Sequence, residues 1–363
     1  MANEVKQLTP EERAQAFAKF TRQYIQQLPA KNTTEGNTIS FDAPKARLIN
    51  KIRLLVEDTI NVTHASDTSF TPATFAPFNF IKSIKVSANN GFSPFNVSGE
   101  GVYLYNLLHN HAEMIEPLVD TATNVAASRR RSKMGTTASS TGADNTLQTV
   151  IDLPLTLNDK NPVGLWLAQT DDTVITTTVE FDDADKLLAS TTGFTTTSAG
   201  IKVTPVIETF SIPKLKEAFP DISMLKLVQE QSESFAGAGE VNVKLPVGLT
   251  YRKIIFLLRK ADGTAFSDAE MAGKFELVFN QADIPYSFSP KVLAAINQEH
   301  YGMPLPKGVY VFDFASFQGL ANYAGSRDLI DTEQITEFWL RFTAPAAGSI
   351  KVISESLSKL RRG

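Results

Sequence analysis

Apolar and polar residues alternate along most of this chain, which is the pattern of strands with one buried face. In the segment RLINKIRLLVEDTINV the alternation predicts one long strand whose buried positions are Leu48, Ile52, Leu54, Val56, Ile60 and Val62. Three later runs repeat it, at Phe78, Phe80, Ile84 and Val86, at Ile151, Leu153, Leu155 and Leu157, and at Ile175, Val179 and Phe181. Turn residues separate these runs, so we expect the first half of the chain to be a set of short antiparallel strands.

A second strand-rich block follows the polar stretch Ser190 to Gly200 and includes IKVTPVIETFSI, RKIIFLLRK and TEFWLRFTA. Within this block, short helices are predicted at Lys214 to Ala218 and at Pro290 to Asn297. Two successive blocks of about eight short strands indicate two β-sandwiches or jelly rolls. The pattern is compatible with jelly-roll and with immunoglobulin-like wiring.

The N-terminal segment has a helical period. Thr9, Pro10 and Glu12 form a capping box with proline at the first helical position. One face then carries Phe17, Phe20, Tyr24 and Leu28, and Pro29 ends the predicted helix. We therefore expect residues 1–35 to form a helical arm and linker, residues 36–195 a first β domain and residues 196–363 a second.

Composition narrows the function classes. The 363 residues are 42% hydrophobic and carry a net charge of -4, so a surface that binds nucleic acid throughout is excluded. No cysteine is present, which excludes disulfides, thiolate metal sites and cysteine nucleophiles. The N-terminus lacks the layout of a secretory signal, and no apolar run approaches the roughly 20 residues that span a bilayer. We expect a soluble chain made in the cytoplasm.

Candidate chemistry is sparse. The four histidines are His64, His109, His111 and His300, and the HNH triplet at 109–111 is interpreted as packing or surface residues near a strand end. Asp182, Asp183 and Asp185 lack the glycine and the terminal glutamate of a calcium loop. No catalytic, cofactor-binding or metal-binding residues are predicted, which argues against an enzyme.

Two basic runs stand out. Arg129, Arg130, Arg131 and Lys133 lie in a polar stretch from Ser128 to Asn145, which we expect to form a long mobile loop. Lys359, Arg361 and Arg362 form a basic C-terminal tail. Either run can contact phosphate, and either can also be a solvated surface.

Three passages resemble one known family, the double jelly-roll major capsid proteins of tectiviruses. They are DLPLTLNDKNPVGLWLAQTDDTVITTTVEF (152–181), FAPFNFIKSIKVSANNGFSPFNVSGEGVYLYNLL (75–108), which looks like two strands and a turn, and PLPKGVYVFDF (304–314). The tail ITEFWLRFTAPAAGSIKVISES suits the closing strands of a second roll. The resemblance is best with capsid proteins of phages that infect Bacillus-like hosts.

The resemblance implies an all-β chain of two consecutive eight-stranded jelly rolls, with an N-terminal amphipathic helix and a few short helices. It implies a homotrimer, a pseudo-hexagonal capsomer that contacts neighbouring capsomers, penton and minor capsid proteins, and the internal viral membrane, with no sequence-specific nucleic acid. The predicted location is the virion capsid. Within it, Phe17, Phe20, Tyr24 and Leu28 are expected to form an assembly arm, and Lys359, Arg361 and Arg362 to line the inner face.

The alternative is a carbohydrate-binding or carbohydrate-active protein of two β-sandwiches. Such a protein needs exposed aromatic platforms, but Trp166 and Trp339 lie in strongly apolar strands, which favours core positions. A third reading, a receptor-binding spike or penton component, usually has one roll or a fibrous repeat, and no repeat is present.

Overall fold

The computed structural model of the protein describes residues 10–45, 47–88, 92–109, 118–119, 132–157, 164–167, 174–214, 218–219, 224–314 and 329–359. The chain divides into two compact units between Lys226 and Leu227, about thirty residues beyond the boundary expected from the sequence. The difference arises because the strand Ile201–Phe210, assigned to the second domain from sequence, pairs with the long strand Leu48–His64.

The first unit consists mainly of strands. Its elements are α1 (Pro10–Phe20), β1 (Gln23–Gln27), β2 (Lys31–Thr33), β3 (Thr38–Asp42), β4 (Leu48–His64), β5 (Ile81–Ala88), β6 (Phe92–Val97), α2 (Gly99–His109), β7 (Leu118–Val119), β8 (Lys133–Met134), β9 (Ala143–Pro154), β10 (Trp166–Leu167), β11 (Ile175–Phe181), β12 (Phe194–Ser198) and β13 (Ile201–Phe210). A 3₁₀ turn at Phe78–Phe80 replaces the start of a predicted strand, and a second lies at Ala184–Leu187, where no strand was predicted.

Strand pairing in the first unit defines two layers. One runs in the order β1-β13-β4-β9-β8-β7, with β2 also paired to β13, and with β10 and β12 also paired to β4. In the other, β3, β11, β5 and β6 pair in that order. β1 and β2 both pair with β13 and count as one strand position, and β12 and β13 pair with the same edge of β4 and count as another. The two-residue strands β7, β8 and β10 only extend the sheet beside β9 and β4, so the unit has eight strand positions.

The core of the first unit lies on the predicted faces of these strands. Leu153, Leu155, Ile175, Val179 and Phe181, which were expected to fill it, are all at most 2% exposed. The six apolar positions predicted for the long strand are also buried. The turn predicted at Asn158 to Pro162 lies outside the described residues.

The second unit repeats the same plan. β14 (Met224–Phe235) leads into β15 (Gly239–Lys244), β16 (Thr250–Lys260), β17 (Ala272–Phe279), β18 (Asp283–Phe288), α3 (Pro290–Tyr301), β19 (Val309–Asp313), β20 (Ile330–Asp331), β21 (Phe338–Ala344) and β22 (Gly348–Lys359). The pairing orders are β19-β16-β22-β14 and β15-β21-β17-β18, and β20 pairs with β16. The eight main strand positions of each unit can be numbered in chain order, leaving out the two-residue strands. In the first unit they are β1/β2, β3, β4, β5, β6, β9, β11 and β12/β13, and in the second they are β14 to β19, β21 and β22. In both units these positions pair as 1-8-3-6 and 2-7-4-5, with a helix between positions 5 and 6. Each unit is therefore an eight-stranded jelly roll, which confirms the predicted fold class.

An aromatic cluster forms the centre of the second unit. The ring of Phe256 lies 5.0 Å from that of Phe275, 5.5 Å from Tyr310 and 5.9 Å from Phe312, between ring centres. All four side chains are at most 1% exposed. Aromatic residues bury more apolar area than other side chains, so this cluster supplies much of the apolar burial that stabilises the roll.

The helix α2 corrects the sequence interpretation, which took this segment as a strand. Ser98 begins it, and its hydroxyl accepts a hydrogen bond from the Gly101 amide at 3.1 Å. Gly99 is required by close packing, because a Cβ there would lie 2.0 Å from the carbonyl oxygen of Phe78 and 2.4 Å from that of Ile81. The run GVYLYNLL is almost wholly apolar, and such a run does not distinguish a buried helix from a strand.

Each roll contains one buried asparagine on the helix between strands 5 and 6. Asn106 of α2 donates to the carbonyl oxygen of Asp152 and accepts from its amide, both at 2.9 Å. Asn297 of α3 donates to the Val311 carbonyl at 2.8 Å and accepts from the Val311 amide at 2.9 Å. Both contacts fall on strand 6 of the roll, so each asparagine satisfies backbone groups that would otherwise be buried without partners.

Part of the predicted mobile loop is ordered. Residues 128–131 lie outside the described chain, but Lys133 and Met134 form β8 and Ala143 begins β9. Buried Asn145 accepts from the amide and hydroxyl of Thr137 at 2.7 and 2.9 Å and donates to the Thr137 carbonyl at 2.9 Å. The side chain of Asn145 therefore holds this part of the segment by hydrogen bonds, which the polar composition of the segment does not predict.

A buried carboxylate marks the junction of β12 and β13. Asp58 accepts hydrogen bonds from the Ser198 hydroxyl at 2.6 Å, the Thr59 amide at 2.6 Å and the Gly200 amide at 3.2 Å. Burial nevertheless raises the pKa of Asp58 above its ordinary value, since desolvation of the charged form outweighs these donors.

This shift predicts a pH-dependent effect of Asp58→Asn. The folded state favours the protonated carboxyl, so its stabilising contribution is complete below the ordinary aspartate pKa and is lost as the pH rises through the raised value. Asparagine keeps the acceptor without the charge. We expect the variant to gain in free energy of unfolding, relative to the unmodified chain, between pH 4 and pH 7 in urea titrations. A relative loss over that interval would contradict the assignment.

Candidate assembly surface on the first unit

The N-terminal segment was expected to be one helix from Thr9 to Leu28, and that expectation is wrong. The helix α1 ends at Phe20, where the Thr21 amide and hydroxyl both donate to the Phe17 carbonyl, at 3.0 and 2.6 Å. The chain then turns into β1, which pairs antiparallel with β13. Strand formation satisfies backbone groups along β13, and aromatic and β-branched residues such as Tyr24 and Ile25 favour it.

Phe17 belongs to the core of its own unit. It is 3% exposed and packs against Leu48, Leu165 and Phe210, with its ring edge-on to that of Phe210 at 5.2 Å between centres. The side chain is therefore already covered within the chain and anchors α1 to the sheet.

The remaining arm residues lie at the surface. Phe20, Tyr24 and Ile25 are 49%, 37% and 63% exposed, and every residue of β1 is exposed. The guanidinium of Arg47 lies 4.0 Å from the centre of the Tyr24 ring, which holds that ring by a cation–π contact. Leu28 is partly buried, and its amide donates to the Pro205 carbonyl at 2.8 Å.

β1 stands at the end of its sheet, and among the described residues no further strand continues the sheet beyond it. An outer strand with exposed apolar side chains is a template for contact with another chain, which monomeric proteins usually avoid. We call the exposed side chains of Phe20, at the end of α1, and of Tyr24 and Ile25, in β1, the edge patch. Ile25 was missed from the sequence because the helical period placed it off the apolar face.

The contrast between Phe17 and Phe20 is testable. Phe17→Ala removes the buried anchor, so we expect α1 to detach and trypsin to cleave after Arg13 and Lys19 at least tenfold faster, while the rest of the first unit stays folded. Phe20→Ala changes an exposed side chain and should leave the cleavage rate near that of the unmodified chain. Equal rates in the two variants would show that Phe17 does not hold the helix.

The predicted basic tail is only partly within the described chain. Lys359 is the last residue of β22, and Arg361 and Arg362 lie outside the described residues. Its proposed role stays a prediction.

The candidate histidines of the HNH triplet lie at the end of a helix and beyond it. His109 ends α2 rather than a strand, and its ring stacks on Tyr105 at 4.4 Å between centres, with Nδ1 2.7 Å from the Tyr105 carbonyl. His111 lies outside the described residues. Within the described part of the chain, no three histidine, aspartate or glutamate side chains converge as a metal site. None of the helices there is long and apolar enough to cross a membrane.

The two tryptophans differ from each other. Trp166 is 6% exposed in β10, as expected for a core residue. Trp339 is only half-buried, and its position in β21 places it on the face opposite the core residues Phe338 and Leu340. The prediction of a core position is therefore wrong for Trp339, because the apolar run EFWLRF hides a residue that alternation turns outward.

Comparison with solved structures identifies the class of fold. The structure is similar to the major capsid protein of STIV, the Sulfolobus Turreted Icosahedral Virus, with a TM-score of 0.65 at 14% identity over 93% of this chain and 97% of that chain. It is similar to the major capsid protein P2 from Bacteriophage PM2, with a TM-score of 0.53 at 15% identity over 94% and 99%. It is also similar to the Faustovirus major capsid protein, with a TM-score of 0.61 at 9% identity over 93% and 90%.

These likenesses extend over nearly the whole chain and both of its rolls. No protein-family model matches the sequence, and no curated protein matches it. The chain is thus a double jelly roll, and the neighbours that share this fold are viral major capsid proteins.

Proposed function

We propose that this chain is a structural major capsid protein with no catalytic activity, located in a virion capsid and made in the host cytoplasm. The observation that carries the proposal is the end-to-end similarity to three viral major capsid proteins, in which more than 90% of this chain and at least 90% of each neighbour are covered. Coverage of both rolls in one alignment is more specific than a likeness to a single jelly roll, a fold that many unrelated functions use.

The subunit is proposed to assemble as a homotrimer. Two rolls with the same strand order and the same helix-borne asparagine give each chain two similar building blocks, so three chains supply six. A closed threefold arrangement of six similar blocks approximates a hexagonal tile, which packs against neighbouring tiles in an icosahedral shell. Penton and minor capsid proteins, and an internal membrane as in tectiviruses, belong to the same proposal.

The edge patch is proposed to contact another subunit or a neighbouring capsomer. Exposed apolar residues on the outermost strand of a sheet are typical of a surface that becomes buried on assembly. Since Phe17 is buried in its own unit, we assign the contact to Phe20, Tyr24 and Ile25, with Leu28 at the margin. The basic residues Lys359, Arg361 and Arg362 are proposed to face lipid headgroups or adjacent subunits.

Ile25→Lys tests this surface. The side chain is 63% exposed, so we expect the free energy of unfolding to change by no more than about 0.5 kcal/mol. A charge in a buried apolar contact is costly, so the yield of closed shells should fall at least tenfold. Gln26→Lys, at the next position of the same strand, is the matched control. Equal shell yields in the two variants would show that the edge patch does not take part in the assembly contact.

Electron microscopy of the purified, expressed chain tests the main proposal. We expect hexagonal particles of a size that matches three subunits, or closed shells built from such particles. Dispersed single-chain particles under all assembly conditions would refute it.

A further inference from the structure

A small hollow lies on the outer face of the four-stranded sheet β15-β21-β17-β18 in the second unit. Its volume is about 260 Å³. Its floor is Val278, which is 3% exposed. One aromatic and five polar side chains complete the lining: Trp339, Glu240, Asn242, Gln281, Glu337 and Arg341.

Strand register brings these residues together. Trp339 pairs with Val278 of β17 on one side, and Arg341 pairs with Asn242 of β15. Their neighbours Val243 and Leu340 point to the other face and belong to the core. Because side chains alternate along a strand, the backbone positions around the hollow are fixed by the same register that builds the core.

The polar groups of the hollow are held in defined orientations. Nε and a terminal nitrogen of Arg341 donate to Glu276 Oε2 at 2.9 and 2.7 Å. The Asn242 amide nitrogen donates to Glu240 Oε1 at 3.0 Å. These contacts neutralise the guanidinium and orient the amide. They leave further N–H donors on Arg341, and a donor and an acceptor oxygen on Asn242, for a ligand.

Glu337 has an unmet hydrogen-bonding demand. Its Oε2 is shielded from solvent and has no hydrogen-bond partner among the residues that the structure describes. A covered carboxylate oxygen without a donor is destabilising for the fold. A hydroxyl donor from a ligand in the hollow would satisfy it.

Gln281 occupies an unfavourable backbone conformation. The turn between β17 and β18 has positive φ at both central residues, 48° for Asn280 and 66° for Gln281. Asparagine and glycine are the usual residues there, and glutamine is disfavoured in the left-handed region. The chain therefore keeps a side chain that lines the hollow at a position where glycine would fit the backbone better, which is typical of a functional site.

We propose that this hollow binds one pyranose ring of a neutral saccharide. The Trp339 indole is partly exposed and has the Lys244 ammonium 5.7 Å from its ring centre. Its free surface offers an apolar contact for the C–H face of a sugar ring, and the surrounding amides, carboxylates and guanidinium offer both donors and acceptors for its hydroxyls. The volume lies just below the range of drug-sized pockets, which suits a single ring. The site is independent of the proposed capsid role, since it requires no contact between subunits.

Saturation-transfer NMR of the purified full-length chain with methyl glycosides of glucose, galactose, mannose and N-acetylglucosamine tests the proposal. For ligands of about 13 to 16 heavy atoms we expect a dissociation constant on the order of 1 mM for at least one glycoside. Trp339→Ala should weaken binding about tenfold or more, and the exposed control Val292→Ala on α3 should leave it unchanged.

Gln281→Gly separates binding from folding. We expect it to weaken binding about threefold by removing one hydrogen-bonding group, while the thermal midpoint stays the same or rises because the turn is relieved. The proposal is overturned if no glycoside binds saturably up to about fifty times the expected dissociation constant. It is also overturned if Trp339→Ala, shown by circular dichroism to be folded, binds as the unmodified chain does.

Discussion

Replacement of Asn297 by leucine is expected to lower the free energy of unfolding of the second unit by about 2–5 kcal/mol. Asn297 is 2% exposed and makes two hydrogen bonds to Val311, one to its amide and one to its carbonyl. Leucine has the same branched side-chain shape, with two methyl groups in place of the amide oxygen and nitrogen, but can make neither bond. Both backbone groups of Val311 would then be buried without partners, and each such group costs about 1–3 kcal/mol.

Urea denaturation with intrinsic fluorescence measures this change. Gln298→Leu, at the next and exposed position of α3, is the matched control and should change stability by no more than about 0.5 kcal/mol. Asn106→Leu, the corresponding change in the first unit, should show a loss of the same order. Similar small effects for Asn297→Leu and Gln298→Leu would mean that the asparagine does not hold strand 6.

Asp313→Ala is expected to destabilise the second unit by about 3–5 kcal/mol. Asp313 is 4% exposed, lies 3.1 Å from the ammonium of Lys253 and accepts a hydrogen bond of 2.6 Å from the Tyr301 hydroxyl. Lys253 is itself 8% exposed. Alanine leaves that ammonium without its nearest carboxylate and the phenol without this acceptor, and a buried charge that has lost its partner is costly.

A double variant distinguishes loss of charge balance from loss of packing. Asp313→Leu combined with Lys253→Met replaces the ion pair by apolar side chains of similar shape, a kind of replacement that is often neutral in other buried pairs. We expect the double variant to unfold at a higher urea concentration than Asp313→Ala. A double variant that is less stable than Asp313→Ala would show that the pair contributes through more than its mutual charge compensation.

The strands of both rolls were predictable from sequence because their period is local. Alternation in β4 and β11 marks which residues are buried, and the structure buries them. The helix α2 was not predictable in this way, since its surroundings are apolar on all sides and the period carries no information. The turn from α1 into β1 was missed for another reason: it depends on an available edge of β13, which lies more than 170 residues further along the chain.

Hydrogen bonds from side chains to strands far along the chain were likewise not predictable from the sequence. Nothing near Asn106 or Asn297 in sequence indicates that each completes the hydrogen bonding of a distant strand. A comparison of the two helices would have provided one signal, since both read Asn-x-x-His, at Asn106 with His109 and at Asn297 with His300. For the edge patch, the sequence identified Phe20 and Tyr24, but exposure distinguishes them from Phe17 only once the fold is known.

The mass of the purified chain in solution tests the central claim most directly. Sedimentation equilibrium or native mass spectrometry should give three times the chain mass of 39.7 kDa, with no dissociation on dilution into the micromolar range, as expected for a large obligate interface. A single species of 39.7 kDa at every concentration would contradict a trimeric capsid subunit.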